Sequence, residues 1–443
     1  MGGISKRVQI IYKNLNVYFS GEVCIFADVK RDNMKRIILV MAAVLISASI
    51  NAQNILGTWN GQIEVGPQKL ALVIHLSEDA DGEFKCTMDS PDQGAKDIPA
   101  EILHISQDSL HVSISQIGMT YTGKLTGNEI KGTFTQLGLE LPLNLKPGDI
   151  VRKRPQEPAE PYPYMTEEVQ FTNSEAGVIL DGTLTYPVGY DGKKKVPVVI
   201  MVTGSGLENR DEEIFGHKPF LVIADYLARH GIASLRYDDR GFGGSTGDGT
   251  TATTADFAED AISGLAFLKD SKKFSKVGII GHSEGGCIAF MVGARRKADF
   301  LISLAGVGVK ADIALTAQVN KINELMGMPV RITVEEYRKN VSAVESPWMD
   351  WFINYDPEAD IQAIRCPVMA VNGSKDVQVL PEMNLSGIEG NLRENKKNMI
   401  KEYPDLNHLF QRCKTGLPQE YSVIEETFSE QVLKDIADWI NSL

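Results

Sequence analysis

The stretch Gly281-His282-Ser283-Glu284-Gly285 decides how this chain folds. It follows the apolar run 277–280, typical of a buried strand, and precedes 286–294, which favours a helix. A serine between strand and helix lies on a turn so tight that side chains two residues away would collide, and glycine removes those side chains. The spacing therefore predicts a serine hydroxyl at the edge of a sheet, beside the first amides of a helix.

A chain with 40 glycines also forms this pattern by chance, as a plain turn before a helix. A nucleophilic serine needs an acid and a base, and both follow in order. Asp376 lies in a turn after the predicted strand 367–373, and His408 lies in a loop after the next strand. We expect His408 to take the proton of the Ser283 hydroxyl, and Asp376 to fix the imidazole tautomer. Asp405 is a rival acid, but it is too close in sequence to lie on the preceding strand's loop.

From about residue 167 to 443, the chain resembles the α/β-hydrolases of the esterase and serine-peptidase-like kind, related to dienelactone hydrolase. Besides the serine motif, the resemblance rests on the glycine turn 203–206, the turn 237–245 and the acid-bearing turn 372–376. Thr203 stands where the family usually has histidine. The resemblance, together with the alternation of strands and helices, implies an α/β fold, a mostly parallel doubly wound sheet with a helical cap. A small all-β domain is expected before it, from a separate pattern described below.

By the same resemblance, two backbone amides stabilise the oxyanion of the reaction. One is the N–H of Glu284, and the other is the N–H of Ser205, with Gly206 as the alternative donor. The Glu284 side chain either faces the pocket, where it disfavours anionic acyl groups, or caps the helix that starts there.

The candidate pocket residues each have a plainer interpretation. The loop charges at 208, 210 and 211 are either pocket groups or solvated side chains, and the cap aromatics either line the pocket or pack the cap onto the domain. The pocket candidates are Gly206, Arg210, Trp348, Trp351 and Phe352.

The first 52 residues have the pattern of a targeting segment. Two basic residues at 35–36 precede the apolar run 37–46, and small residues follow it. This predicts a signal peptide at 34–52, cleaved near Ala52, behind an upstream extension at 1–33. The run is too short to span a membrane, which takes about 20 residues. We therefore expect an exported, periplasmic protein with no stable membrane span after cleavage.

Charge and cysteine content exclude several classes of partner. The first 52 residues carry seven Lys or Arg and three Asp or Glu, so without them the net charge changes from −13 to −17. Such an acidic protein repels nucleic acid, and we expect no nucleic-acid partner. No cluster of His, Cys, Asp and Glu has metal-ligand spacing, so we expect no metal and no cofactor. Whether Cys366 and Cys413 form a disulfide stays open.

Three regions follow the predicted signal peptide. Residues 53–152 alternate apolar and polar positions between turns, which predicts an antiparallel all-β domain. Its start at 57–59 weakly resembles lipocalin-like barrels, and its role is either ligand binding, substrate docking or simple stability. The proline-rich segment 153–166 is a predicted linker. The catalytic domain occupies 167–443, with a cap insertion at about 310–362.

The predicted function is hydrolysis of carboxylic esters through an acyl-enzyme, with a small-molecule ester as substrate. A peptidase or aminopeptidase acting on short peptides would use the same three residues. A binding protein on an inactive hydrolase scaffold would lack one of them, and none is missing. A dehalogenase of this fold would need aspartate at position 283.

Overall fold

The computed structural model of the chain describes residues 55–65, 68–343 and 345–443. The predicted upstream extension and signal peptide lie outside the described residues. Contacts within the chain define two compact units, one containing residues 75–86 and 100–147, the other containing 58–74, 87–99 and 148–443.

The first eight strands close into an antiparallel barrel, which confirms the predicted all-β domain. Period-two alternation turns one face of each strand inward. In β6, for example, Met119, Tyr121 and Leu125 are buried, while the residues between them are more exposed. The strands are β1 (Gly57–Val65), β2 (Gln68–Glu78), β3 (Phe84–Ser90), β4 (Ala95–Ile105), β5 (Ser109–Ile114), β6 (Met119–Thr126), β7 (Glu129–Gln136) and β8 (Leu139–Pro147).

An eight-stranded, mostly parallel sheet, in the order β16-β15-β14-β13-β11-β12-β10-β9, forms the part of the chain predicted to be catalytic, which we call the catalytic part. Within this sheet, the antiparallel pairs are β9 with β10 and β10 with β12. This confirms the predicted α/β fold. The strands are β9 (Thr166–Asn173), β10 (Val178–Thr185), β11 (Val196–Val202), β12 (Ala233–Tyr237), β13 (Phe274–His282), β14 (Leu301–Leu304), β15 (Val368–Gly373) and β16 (Met399–Tyr403).

Helices cover both faces of this sheet, because its central strands are apolar on both sides. On one face, Ile200 and Ile279 pack against α2 (Thr254–Asp270) and α3 (Glu284–Ala294). On the other, neighbouring strand residues pack against α1 (Pro219–Arg229) and α9 (Glu430–Ser442). The serine motif therefore lies between two buried layers, at the carboxyl end of β13.

The segment between β14 and β15 is helical and contributes to the core beneath it. Ala311, Phe352 and Ile361 are buried there. Its helices are α4 (Ala311–Leu325), α5 (Val334–Val341), α6 (Pro347–Phe352) and α7 (Glu358–Ala363), and α8 (Pro381–Asn391) follows β15. We refer to α4–α7 as the cap helices.

Residues of the predicted linker contact the catalytic part directly. The Arg154 guanidinium donates to the carbonyl oxygens of Gly216 at 2.8 Å and Ser422 at 2.8 Å. The Gln156 side chain both donates to and accepts from the backbone of Phe428. This segment is therefore fixed at several points along the catalytic unit.

Two further findings concern the cysteines and the length of the helices, and both apply to the described residues only. Cys366 and Cys413 are free thiols. No helix in residues 55–65, 68–343 or 345–443 has the length and apolar character needed to cross a membrane.

Candidate active site

Ser283 lies on a strained turn between β13 and α3. Its backbone has φ +55° and ψ −114°, a conformation that costs a non-glycine residue about 1–3 kcal/mol. The Ser283 amide donates to the carbonyl oxygen of Leu304 at 2.8 Å. A Cβ at position 281 would lie 1.8 Å from the carbonyl oxygen of Gly285, and one at 285 would lie 2.1 Å from that of Val202. The turn therefore requires both glycines.

The predicted acid and base meet at the same end of the sheet. Asp376 follows β15 and His408 follows β16, and His408 Nδ1 lies 2.7 Å from Asp376 Oδ2. The other oxygen of Asp376 accepts from the amides of Gln378 at 2.8 Å and Val379 at 2.9 Å. Both side chains are buried. Because an ionised carboxylate only accepts, Nδ1 carries a proton and Nε2 is left as the basic nitrogen.

A cavity of 320 Å³ has both Ser283 and His408 in its wall. This volume lies within the range of small-molecule sites. Ser205 contributes to the wall from the loop after β11, and the cap helices contribute apolar side chains from the other side. The apolar part of the wall includes Val307, Leu315, Val319, Trp348, Met349 and Phe352. The cavity therefore places the serine and the histidine in the wall of a largely apolar pocket.

Buried acids hold the loop after β11 beside the serine. The Gly204 amide donates to Glu212 Oε1 at 3.1 Å. Thr203 donates its hydroxyl to Asp239, 3.1 Å from Oδ2, and the Glu208 amide donates to the same oxygen at 2.9 Å. The family's usual histidine is thus replaced by a threonine that fastens the loop to the carboxylate after β12.

The two predicted oxyanion donors lie on segments that meet at Ser283. Glu284 begins α3, so its amide is one of those that a helix leaves without an internal partner. Ser205 is in the cavity wall. Its neighbour Gly204 approaches the nucleophile closely, since a Cβ there would lie 3.5 Å from Ser283 Cβ. Gly206 has φ +117° and is not part of the cavity wall.

The Glu284 side chain is buried and holds the cap. Its carboxylate accepts from the Thr254 hydroxyl at 2.7 Å and from the Trp348 indole at 2.8 and 2.9 Å. Burial raises the pKa of Glu284, and hydrogen bonds from Thr254, Trp348 and Ser205 oppose that rise. Glu284 is not in the cavity wall, so its carboxylate connects the nucleophile's helix to α6.

Two of the five predicted pocket residues line the cavity, and three, Gly206, Arg210 and Trp351, do not. Trp348 and Phe352 are in the wall and stack with ring centroids 5.3 Å apart. Arg210 instead binds carboxylates, among them Asp238 at 2.8 Å, and these contacts raise its pKa. Trp351 stacks on a neighbouring tyrosine and packs against the core.

The cavity wall contains two glutamates, and among its described residues it contains no lysine or arginine. Burial raises the pKa of Glu208 well above its usual range, and the charges of Glu212, Asp239 and Glu284 raise it further. Burial also raises the pKa of Asp239 to about 7. Oε2 of Glu208 is buried and has no hydrogen-bond partner among the described residues. The wall therefore carries less negative charge at neutral pH than it would if every acid in and beside it were ionised. No group of His, Cys, Asp or Glu in the described parts of the chain is placed to hold a metal ion.

Sequence reasoning missed Glu212 and His282. His282 Nδ1 lies 2.8 Å from Glu212 Oε1, and Nε2 lies 2.9 Å from the His408 carbonyl oxygen. Burial lowers the pKa of His282, but the charge and hydrogen bond of Glu212, the His408 carbonyl and the charge of Asp376 together raise it above its usual value. His282 was visible inside the serine motif, whereas Glu212 is one of three consecutive acids at 211–213 that the sequence does not distinguish.

Comparison with known proteins agrees with this fold. The family model described as Serine aminopeptidase, S33, matches residues 218–361. Esterase EstD of Thermotoga maritima is 27% identical over 277 residues, covering 59% of this chain and 65% of EstD. Human mitochondrial palmitoyl-protein thioesterase ABHD10 is 24% identical over 209 residues, covering 43% of this chain and 64% of that protein. The chain thus spans just under two thirds of the length of these relatives.

Solved esterase structures are also similar. The Pyrococcus furiosus esterase Pf2001 aligns with a TM-score of 0.44 at 17% identity, covering 67% of this chain and 99% of that one. Est1E from Butyrivibrio proteoclasticus, with ferulic acid bound, aligns with a TM-score of 0.42 at 17% identity, covering 62% and 96%. By its sheet topology and the matched family model, this chain has an α/β-hydrolase fold preceded by an eight-stranded antiparallel β-barrel, and its sequence is similar to that of the esterase EstD.

Proposed function

We propose that this protein is a serine hydrolase that cleaves carboxylic esters through an acyl-enzyme intermediate. The observation that carries the proposal is the convergence of three residues from distant parts of the chain. Ser283 lies on its strained turn in the wall of the cavity, His408 shares that wall, and Asp376 accepts from His408 Nδ1 at 2.7 Å. The sequence similarity to EstD favours an ester as substrate.

In this mechanism, His408 Nε2 takes the proton of the Ser283 hydroxyl while its oxygen attacks the ester carbonyl. The oxyanion that forms is stabilised by the amides of Glu284 and Ser205. The imidazolium then returns the proton to the leaving alkoxide, which departs as the alcohol. A water molecule, deprotonated by His408, attacks the acyl-enzyme and releases the carboxylic acid and free Ser283. Asp376 stabilises the imidazolium in both halves of the reaction.

The cavity supports a small, neutral acyl or alcohol group. Its wall is largely apolar, and its described residues include two glutamates but no lysine or arginine that would pair with an anionic substrate. Trp348, Phe352 and Tyr337 are aromatic side chains of the wall available to the substrate. We therefore expect uncharged esters to react faster than esters carrying a carboxylate.

The decisive measurement is turnover of 4-nitrophenyl esters by the wild type and Ser283→Ala. Loss of the nucleophile lowers kcat/KM by at least about a thousand-fold. Ser263→Ala, on the outer helix α2, is the matched control and keeps wild-type turnover. Ester hydrolysis that persists at the wild-type rate in Ser283→Ala rules out this mechanism.

A peptidase is the second candidate, because the matched family model is described as a serine aminopeptidase. The same three residues would then act on an amide. Aminoacyl 4-nitroanilides, assayed beside the esters, separate the two. A larger kcat/KM for the anilides assigns the protein to the peptidases. A non-catalytic binding role is supported only if neither substrate type is turned over in a Ser283-dependent way.

We further propose export to the periplasm, directed by residues 34–52, and a lipocalin-like character for the barrel. The basic, apolar and small-residue order of the leader supports the first proposal. Fractionation of cells expressing the full chain, with N-terminal sequencing of the product, tests it. A product retained in the cytoplasm with its leader intact contradicts it.

A further inference from the structure

A single oxygen atom receives hydrogen bonds from two segments of the candidate active site. Glu212 Oε1 accepts from the Gly204 amide at 3.1 Å and lies 2.8 Å from His282 Nδ1. The other ring nitrogen of His282 lies 2.9 Å from the carbonyl oxygen of His408. Glu212, His282 and His408 are 2%, 5% and 4% exposed, so water does not compete for these bonds. The chain of contacts joins the loop at Gly204 to the residue proposed as the base.

The partners of His282 fix where its protons lie. A carbonyl oxygen only accepts, so Nε2 must carry a proton. Nδ1 faces Glu212 Oε1, which already accepts from the Gly204 amide. An ionised Glu212 therefore requires a second ring proton on Nδ1, which makes His282 an imidazolium. Two buried charges of opposite sign, each with hydrogen bonds, then satisfy one another.

We propose that Glu212 and His282 form a buried ion pair that positions the Gly204 loop and His408 around Ser283. They are positioning residues, since they act through Gly204 and the backbone of His408. The inference rests on the proposed ester hydrolysis, because it assigns to this pair the alignment of the oxyanion loop with the general base. The imidazole rings of His282 and His408 lie 4.8 Å apart, and the net neutrality of the pair spares His408 a neighbouring unbalanced charge.

The geometry has a pH-dependent consequence. The titratable groups that face His282 are Glu212 after β11, Asp376 after β15 and His408 after β16. Burial lowers the pKa of His282, and Glu212, the His408 carbonyl and Asp376 together raise it above its usual value. His282 thus stays an imidazolium below that raised pKa, and the ion pair with the Glu212 carboxylate is lost as pH rises through it. Above it, a bare Nδ1 faces the carboxylate, and alignment is lost.

The first test replaces Glu212 by its uncharged isostere. Glu212→Gln removes the charge that keeps both ring nitrogens of His282 protonated. The neutral ring keeps its Nε2 proton for the His408 carbonyl and presents a bare Nδ1, which the glutamine oxygen cannot bind. If the glutamine turns its NH2 group toward Nδ1 instead, the Gly204 amide loses its acceptor, so one of the two links breaks. Because a misplacement of about 1 Å costs on the order of a hundred-fold in rate, we expect kcat for a 4-nitrophenyl ester to fall by about that factor, with KM changed by less than about threefold. The matched control is Glu213→Gln. Glu213 is the next residue and is exposed, and its Oε2 lies 3.8 Å from Lys218 Nζ. Wild-type kcat in Glu212→Gln overturns the proposal.

The pH profile separates positioning from simple support of the fold. Wild-type kcat should fall at alkaline pH in a step that is absent from Glu212→Gln, because His282 has no partner charge to lose in that variant. A variant that is only less stable would keep the wild-type profile at reduced amplitude, and that result overturns the inference. In every variant, only the ester hydrolysis that a further Ser283→Ala substitution abolishes is counted. Failure of the proposed function is therefore detected separately from failure of this inference.

A spectroscopic test does not depend on the variant folding. The chain has seven histidines, and ¹⁵N-labelled imidazoles report their own protonation. At pH 7, His282 should have both ring nitrogens protonated, in the wild type and in Ser283→Ala, with the resonances assigned by their loss in His282→Asn. A neutral ring with an unprotonated Nδ1 at pH 7 overturns the ion pair, whatever the kinetics show.

Discussion

The barrel and the catalytic sheet bury different kinds of side chain. Among the described residues of the barrel, the buried polar side chains are Ser90 and Asp92, and the interior is otherwise made of groups such as Ile130, Leu143 and Tyr121. The catalytic part buries ionisable groups at the carboxyl ends of its strands, including Glu212, Asp239, His282, Asp376 and His408. Burial of a charge is costly unless it is paired, so such a concentration indicates a site that performs chemistry.

The largest effect is expected where the catalytic charges are paired most closely. Asp376→Asn keeps the shape of the side chain but removes the charge opposite His408 Nδ1, 2.7 Å away. The imidazole then loses its fixed tautomer, and kcat falls by about ten-thousand-fold. Stopped-assay kinetics with a 4-nitrophenyl ester measure this. Asp405→Asn, which removes the surface pair with Lys375 at 2.9 Å, is the control, and equal losses in both variants would assign no special role to Asp376.

A smaller effect is expected where the cap meets the catalytic residues. Trp348→Phe keeps an aromatic ring in the cavity wall but removes both hydrogen bonds to Glu284. A buried hydrogen bond to a charged group contributes about 1.5–3 kcal/mol. We expect kcat/KM to fall about ten-fold and the unfolding temperature to drop. Trp351→Phe, which changes the tryptophan outside the cavity wall, is the control. It should lower kcat/KM less than Trp348→Phe does, whereas equal losses would point to cap packing in general rather than to the bonds with Glu284.

Next comes an expected gain in stability. Burial and neighbouring acids raise the pKa of Glu208 in the folded protein. The unfolded chain therefore loses this proton at lower pH than the folded one, and stability falls as pH rises toward the folded pKa. Glu208→Gln removes that loss, so it should stabilise the protein by about 1–3 kcal/mol at pH 8 and by less at pH 5. Thermal unfolding at both pH values measures the difference. A gain of the same size at both would contradict the buried charge as its cause.

The smallest effect is expected in the barrel. The Tyr121 hydroxyl donates to the carbonyl oxygens of Leu143 at 3.2 Å and Ile130 at 3.4 Å. Tyr121→Phe removes these bonds and costs about 0.5–1.5 kcal/mol of stability, measured by urea unfolding. Ester turnover should be unchanged. A change in kcat would show that the barrel's interior influences the reaction and would weaken the contrast between the two regions.

Sequence reasoning predicted the sheet, the barrel and the serine turn, because periodicity and glycine spacing are local signals. It also brought Asp376 and His408 forward as candidates, since each follows a strand whose carboxyl end lies at the same edge. It did not predict the Glu212–His282 contact, because those residues lie 70 positions apart and no periodic pattern links them. The ion pairs of Arg210 could not be predicted either, because its carboxylate partners come from separate strands and loops.

The contact between Glu284 and the cap limits how the specificity of the proposed hydrolase can be redesigned. Glu284 follows the serine directly, and its carboxylate receives the indole of Trp348 from the cap. A cap taken from a relative without a hydrogen-bond donor at position 348 would leave the buried Glu284 carboxylate without that partner, next to Ser283. Successful exchange of the lid for a new substrate range therefore demands a compensating substitution at 284, so the two positions must be varied as a pair in any library.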